Sequence, residues 1–259
     1  MSICKLCLRD KGLKHSHIIP EFMYQHVYEK RIKRFKALTV DFANNQKPHL
    51  KYEQSGIRED LLCGDCELLL SKYEKYAAET FYSNNGKYNA FCTNTKKIGD
   101  KIIYEFNGFL YKEFKIFLLS LVWRIIIAKQ YNIQNIDEEI KEKLRTAILN
   151  QDPLNYDDFG CSIQILRDNE GHLESKLIYG PFLAINNNIK TLIIIIDGFK
   201  YIFFLNHINI TKDKIKWFLN VDGSIDIMCS SLSLDENLTY ILKTMSDLMS
   251  KSDINGVPF

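Results

Sequence analysis

The rhythm of apolar and polar positions changes twice along this chain. Residues 1–62 hold only short apolar runs, such as Leu38-Thr39-Val40, and predict small strands and loops. From Leu61 to Tyr82 the spacing turns helical: Leu68, Leu69, Lys72, Tyr73, Tyr76, Ala77, Thr80 and Phe81 share one face of a helix starting near Cys66. Residues 83–100 are polar and contain Gly, which predicts a linker or surface loop. A short strand over Lys101–Phe106 precedes a strongly apolar helix, Tyr111–Tyr131. A charged amphipathic helix follows over Asp137–Asn150, with Asp137 as its cap and glutamates in its first turn. Beyond Asp152-Pro153 the period becomes that of strands, over Cys161–Leu166, a run reaching Leu183, Leu192–Ile196 and Tyr201–Leu205. Asp197-Gly198 predicts a tight hairpin between the last two. A final helix is expected over Asp235–Ser250. The pattern predicts an α+β chain, with helices first and then a mainly antiparallel sheet, divided into a module at 1–83 and a body at 84–259.

Composition narrows the setting. Of 259 residues, 46% are hydrophobic and 25% charged, an ordinary globular mixture. The N-terminus, MSICKLCLRDKGLKH, lacks the apolar core of a secretory signal, and the longest apolar run, Ile116–Ala128, is too short for a membrane span and carries Arg124. The expected location is the cytoplasm, with no membrane partner and with reduced thiols. Net charge is +2 but uneven: residues 1–60 hold twelve Lys/Arg against seven Asp/Glu, a balance of +5, with four of the six histidines. A basic module on a slightly acidic body suits a polyanion.

Cysteine spacing brings in metal chemistry. Cys4-x-x-Cys7 and Cys63-x-x-Cys66 are two CxxC pairs, each supplying two thiolates from one tight turn, and together they saturate a tetrahedral zinc ion. No coordination position remains for catalysis, so the expected role is structural. The 55 residues between Cys7 and Cys63 exceed a compact zinc ribbon and must carry structure of their own. A first knuckle on a loop and a second at a helix start describe a treble clef. Cys92, Cys161 and Cys229 are isolated and predict buried small hydrophobes. Between the knuckles lies Lys14-His-Ser-His-Ile-Ile-Pro20, where His15 and His17 fall on one face of a strand and can hold a metal or pair a ligand with a base.

Cys4-Lys-Leu-Cys7, then Ser16-His-Ile-Ile-Pro20, then Leu61-Leu-Cys-Gly-Asp-Cys66 leading into a helix, together resemble the HNH endonuclease superfamily with its ββα-metal core, over residues 1 to about 80. The whole chain is also similar to a bacterial group met near phage-defence genes. The resemblance implies that His17 is the general base activating water against a phosphodiester. A separate magnesium or manganese ion would stabilise the developing charge. It departs from the family at three places. Ser16 stands where an acidic ligand is usual, leaving His15 to substitute. No asparagine precedes the second knuckle, leaving Glu59 or Asp60 to orient His17. Glu67, with Glu74 further on, stands where the helix histidine is usual.

The expected function is therefore metal-dependent hydrolysis of DNA, with RNA as the lesser substrate. The body would serve targeting, dimerisation or sensing, in a homodimer or with a defence-system protein. The alternative is a non-catalytic zinc treble clef binding nucleic acid or protein. The basic run Lys30–Lys36, with Tyr28 and Phe35 beside it, is a candidate phosphate contact. Trp123-Arg124 predicts core packing with a buried or interface ion pair, and Phe199, Tyr201 and Phe203 predict sheet core. No Walker loop, dinucleotide fingerprint or GxSxG elbow occurs.

Overall fold

A computed structural model describes residues 2–24, 28–29, 34–35, 37–41, 49–53, 56–82, 91–99, 101–167, 178–206, 217–231 and 243. The expected helix over Asp235–Ser250 lies outside these, Lys243 apart. So do the side chains of Lys30–Lys36, of which only the Arg34 and Phe35 main chain is described.

In chain order the elements are β1 (Leu13–His17), a 3-10 turn (Glu21–Tyr24), β2 (Tyr28–Glu29), β3 (Arg34–Phe35), β4 (Ala37–Asp41), β5 (His49–Glu53), β6 (Arg58–Cys63), α1 (Gly64–Ala77) with a π turn (Ala78–Tyr82), β7 (Phe91–Ile98), β8 (Lys101–Asn107), α2 (Tyr111–Ile127), α3 (Glu138–Leu149), β9 (Cys161–Arg167), β10 (Ile178–Asn186), β11 (Ile189–Ile196), β12 (Phe199–Phe204) and β13 (Ile225–Ser231). Strands β7 to β13 form one seven-stranded sheet in the order β10-β11-β12-β9-β13-β8-β7. Every pairing in it is antiparallel except β9 with β13. Three two-stranded ribbons, β1-β6, β2-β3 and β4-β5, belong to the N-terminal part. The chain is thus α+β, with three described helices and a mainly antiparallel sheet.

Helix α2 is buried on all sides from Phe114 to Ile126, which its predominantly apolar composition all round favours. It packs on α1 and α3 and places the core at the middle of the molecule. Buried residues from Cys4 to Ile227 join in one continuous cluster around it. Two charged side chains are accommodated there, the expected Arg124 and also Lys115. Arg124 is buried and pairs with Glu74, and Lys115 donates to the carbonyls of Tyr156 (3.2 Å), Asp158 (2.6 Å) and Phe159 (3.5 Å).

Several boundaries differ from the periodicity. Leu61–Cys63 complete β6 rather than open the helix, and α1 turns Leu70 inward while Leu68 is exposed. Helix α2 ends at Ile127, where Ala128 becomes extended. The segment expected as linker contains β7, whose residues Cys92 to Ile98 are exposed, so no apolar alternation announces it. Cys92 is accordingly exposed, unlike Cys161 and Cys229. Asp137 is the N-cap residue of α3 but makes no capping bond; its carboxylate takes Lys190 Nζ at 2.6 Å instead. Asp197 (φ 54°) and Gly198 (φ 79°) form the expected primed turn, and Asn187 (φ 47°) with Asn188 (φ 61°) makes a second one.

Candidate metal centre and histidine face

The first knuckle sits on a loop that closes on itself through Leu8 N–H to Cys4 O (2.9 Å) and Cys4 N–H to Arg9 O (3.1 Å). The second places Cys63 at the end of β6 and Cys66 in the first turn of α1. A bulge joins them. Lys14 pairs with Leu62 but His15 with Asp60, so Leu61 is the extra residue, and its carbonyl accepts Lys5 N–H at 3.0 Å. The four sulfurs lie within 4.8 Å of one another, with Cys4, Cys63 and Cys66 buried and Cys7 half-buried. Cys7 and Cys63 Sγ are 3.8 Å apart, which matches the ~3.8 Å edge of a tetrahedron with ~2.3 Å zinc–sulfur bonds. Burial works against ionising Cys4, yet the N–H groups of Cys7, Cys63 and Leu6 outweigh it and hold the thiol at about 7. Cys66 is pushed up by burial and by the other three sulfurs. Four sulfurs this close can all be thiolates only around a cation, so the cluster can hold a metal such as zinc.

One turn of chain away, β1 and β6 present a face of paired side chains. His15 and His17 point the same way, as strand alternation requires, while Ser16 is buried on the other side with its Oγ accepting Leu62 N–H at 3.2 Å. The register opposes His15 to Asp60 and His17 to Arg58. His15 Nδ1 lies 3.2 Å from Asp60 Oδ1, and Arg58 Nε donates to His17 Nε2 at 2.8 Å. Asp60 is therefore beside His15, not beside His17 as the sequence suggested. Glu59 is on the opposite face, its two oxygens accepting the N–H groups of Lys129 (3.1 Å) and Gln130 (2.9 Å) just past α2. The one-residue bulge at Leu61 sets this register, and a linear reading of Arg58-Glu-Asp60 does not contain it.

His17 is half-buried. Burial chiefly, then the charge of Arg58 and lastly that of Arg124, lowers its pKa, against the carboxylates of Glu21 and Glu74. The helix carboxylate that bears on His17 is thus Glu74, three turns into α1, while Glu67 lies in the first turn with a buried Oε1 that has no hydrogen-bond partner. Arg124 fastens the face from below: its Nη1 donates to His17 O at 3.0 Å and Nε to Ser120 O at 3.3 Å. Its Nη2 meets Glu74 Oε1 at 2.7 Å, an ion pair without hydrogen-bond alignment. Sequence reasoning anticipated an ion pair at Arg124 but not its target, and it missed Arg58 and Glu21. A basic residue opposite a histidine is visible only once the register is known. Comparison with protein-family models, with curated proteins and with solved structures finds no match.

Proposed function

We propose that residues 1–83 form an HNH-like treble-clef unit with a structural zinc, and that the chain hydrolyses phosphodiester bonds in DNA with His17 as general base. The observation that carries this is a half-buried His17 whose pKa burial lowers and on which the charges of Glu21 and Glu74 bear, carried by the same β1–β6 ribbon that leads to a four-cysteine cluster. A base must be unprotonated to accept a proton from water, and burial keeps His17 so near neutral pH. The cysteine cluster is saturated by its own ligands, so its work is to fix the loop before β1 and the start of α1. In this reading the carboxylates whose charge bears on His17, Glu21 and Glu74, would hold a divalent cation, Glu74 giving up its ion pair with Arg124, and His15 with Asp60 lies one pair further along the strands. A magnesium or manganese ion held there would supply charge stabilisation at the phosphate. His17 takes the proton of the attacking water, and Arg124 holds the main chain that carries the imidazole.

The test is His17→Ala in a plasmid-nicking assay with magnesium or manganese. The expected outcome is a fall in rate of about 10²–10⁴-fold, the usual contribution of a general base. Unchanged nicking would leave the chain a zinc-bound module that binds nucleic acid or protein without cutting.

A further inference from the structure

We propose that Arg58 is the residue that receives the substrate's phosphate and that, until it does so, it blocks the base it serves; its place in catalysis rests on the nuclease reading above. The hydrogen bond from Arg58 Nε to His17 Nε2 is 2.8 Å long. A guanidinium has N–H donors and no acceptor, so Nε2 must be the bare nitrogen of the ring and the ring proton must sit on Nδ1. A neutral imidazole offers a single basic lone pair. In this structure that lone pair points at Arg58 rather than at a water.

Arg58 is suited to leave. It is exposed at the end of β6, and no described carboxylate forms an ion pair with it. The two acids that follow it in sequence are committed elsewhere, Glu59 to the main chain after α2 and Asp60 to His15. Among the described residues, its positive charge therefore has no ion-pair partner in front of the histidine. A planar guanidinium fork matches two oxygens of a phosphate better than it matches one ring nitrogen, and the ionic hydrogen bond is the stronger of the two. A phosphodiester arriving at this face draws Arg58 onto itself and takes the Nε–H away from His17. Binding of the anion and release of the base become one event, and water is not activated without substrate.

The probe is inorganic phosphate, titrated into the full-length protein carrying ¹⁵N-labelled histidine and arginine. In the wild type, phosphate should move the His17 Nε2 and Arg58 Nε resonances together, with His17 shifting toward the position of a lone pair free of its donor. In Arg58→Ala, an exposed change that leaves the core intact, His17 should begin at that position and ignore phosphate. No response in the wild type, or an equal response in Arg58→Ala, would mean an adventitious ion only and overturn the proposal. Cleavage of duplex DNA supplies a second arm. Arg58→Ala should raise KM by about tenfold or more, the loss of one charge-assisted bond, with kcat at saturation no lower than wild type. A fall in kcat at unchanged KM overturns the latch, because Arg58 would then act only in the transition state. If the wild type cuts nothing, the nuclease reading fails, and the phosphate titration alone decides whether an anion opens the Arg58–His17 contact.

Discussion

Cys66 shows how much of this molecule is decided at single side chains. It is buried in the first turn of α1, crowded by three other sulfurs, and its thiol is pushed up by that burial. A cation would make such a position stable, and on the zinc reading proposed above Cys66→Ser should lower the zinc content well below one per chain and loosen the start of α1. Mass spectrometry under native conditions and zinc release with a chromogenic chelator read this directly; a full complement of zinc in the variant would remove Cys66 from the ligand set. The cysteines were legible in the sequence because a CxxC turn carries its geometry within four residues. His17 was legible for the same reason, as part of a short contiguous segment. Its partners were not. Arg58 faces it through a register set by one bulged residue, and the charges of Glu74 and Glu21 bear on it from α1 and from the turn after β1.

Between elements, a few polar clips do the positioning. Arg124 on α2 holds the His17 carbonyl of β1 and the Glu74 carboxylate of α1, and Glu59 of β6 caps the N–H groups of Lys129 and Gln130 after α2. Arg145 on α3 donates to the Leu6 carbonyl in the first knuckle at 2.7 Å, and Tyr73 of α1 bonds Gln151 after α3 at 2.8 Å. Removing one half of a buried pair strands the other half away from water. Arg124→Leu should destabilise the fold by about 2–4 kcal/mol, with the partial exposure of Glu74 keeping it toward the lower side. Denaturant unfolding measures it, and Arg124→Leu with Glu74→Leu should recover part of the loss; no recovery would show that the pair itself contributes little. Apolar periodicity located α2 and α3 well, since burial on one side or all sides writes itself into spacing. It failed at β7, where exposure on both faces leaves no pattern to read, and at Asp137, where a long-range lysine outcompeted the local cap.

At the scale of the whole molecule the helices, the sheet and the knuckles share one core, and its titratable groups are shared too. Burial holds Cys161 on β9, Tyr82 after α1 and Tyr201 on β12 protonated well above their ordinary 9.0 and 10.0, the two phenols being hydrogen-bonded to each other. The unfolded chain gives up these protons from about pH 9, so the native state binds more of them and stability falls as pH rises. Lys115 works in the opposite sense. Burial pulls it from 10.5 to about 8, so the native state sheds its proton first and stability rises across that window. Three acids outweigh one base, and the thermal midpoint should decline between about pH 9 and 11, more steeply in Lys115→Met, by calorimetry; a midpoint level to pH 11 would contradict the burial of these groups. One last feature bears on how such a chain diversifies. The ribbon of β1 and β6 continues to a rung from Ile18 N–H to Ile57 O at 3.0 Å, so the chain between Ile18 and Ile57 leaves and re-enters the ribbon at that rung. With both ends pinned a strand's width apart, doubling the length of the excursion costs only about 0.6 kcal/mol of chain entropy. The ribbon is a graft port: segments of different reach can be exchanged there over evolutionary time while the knuckles and His17 stay in place.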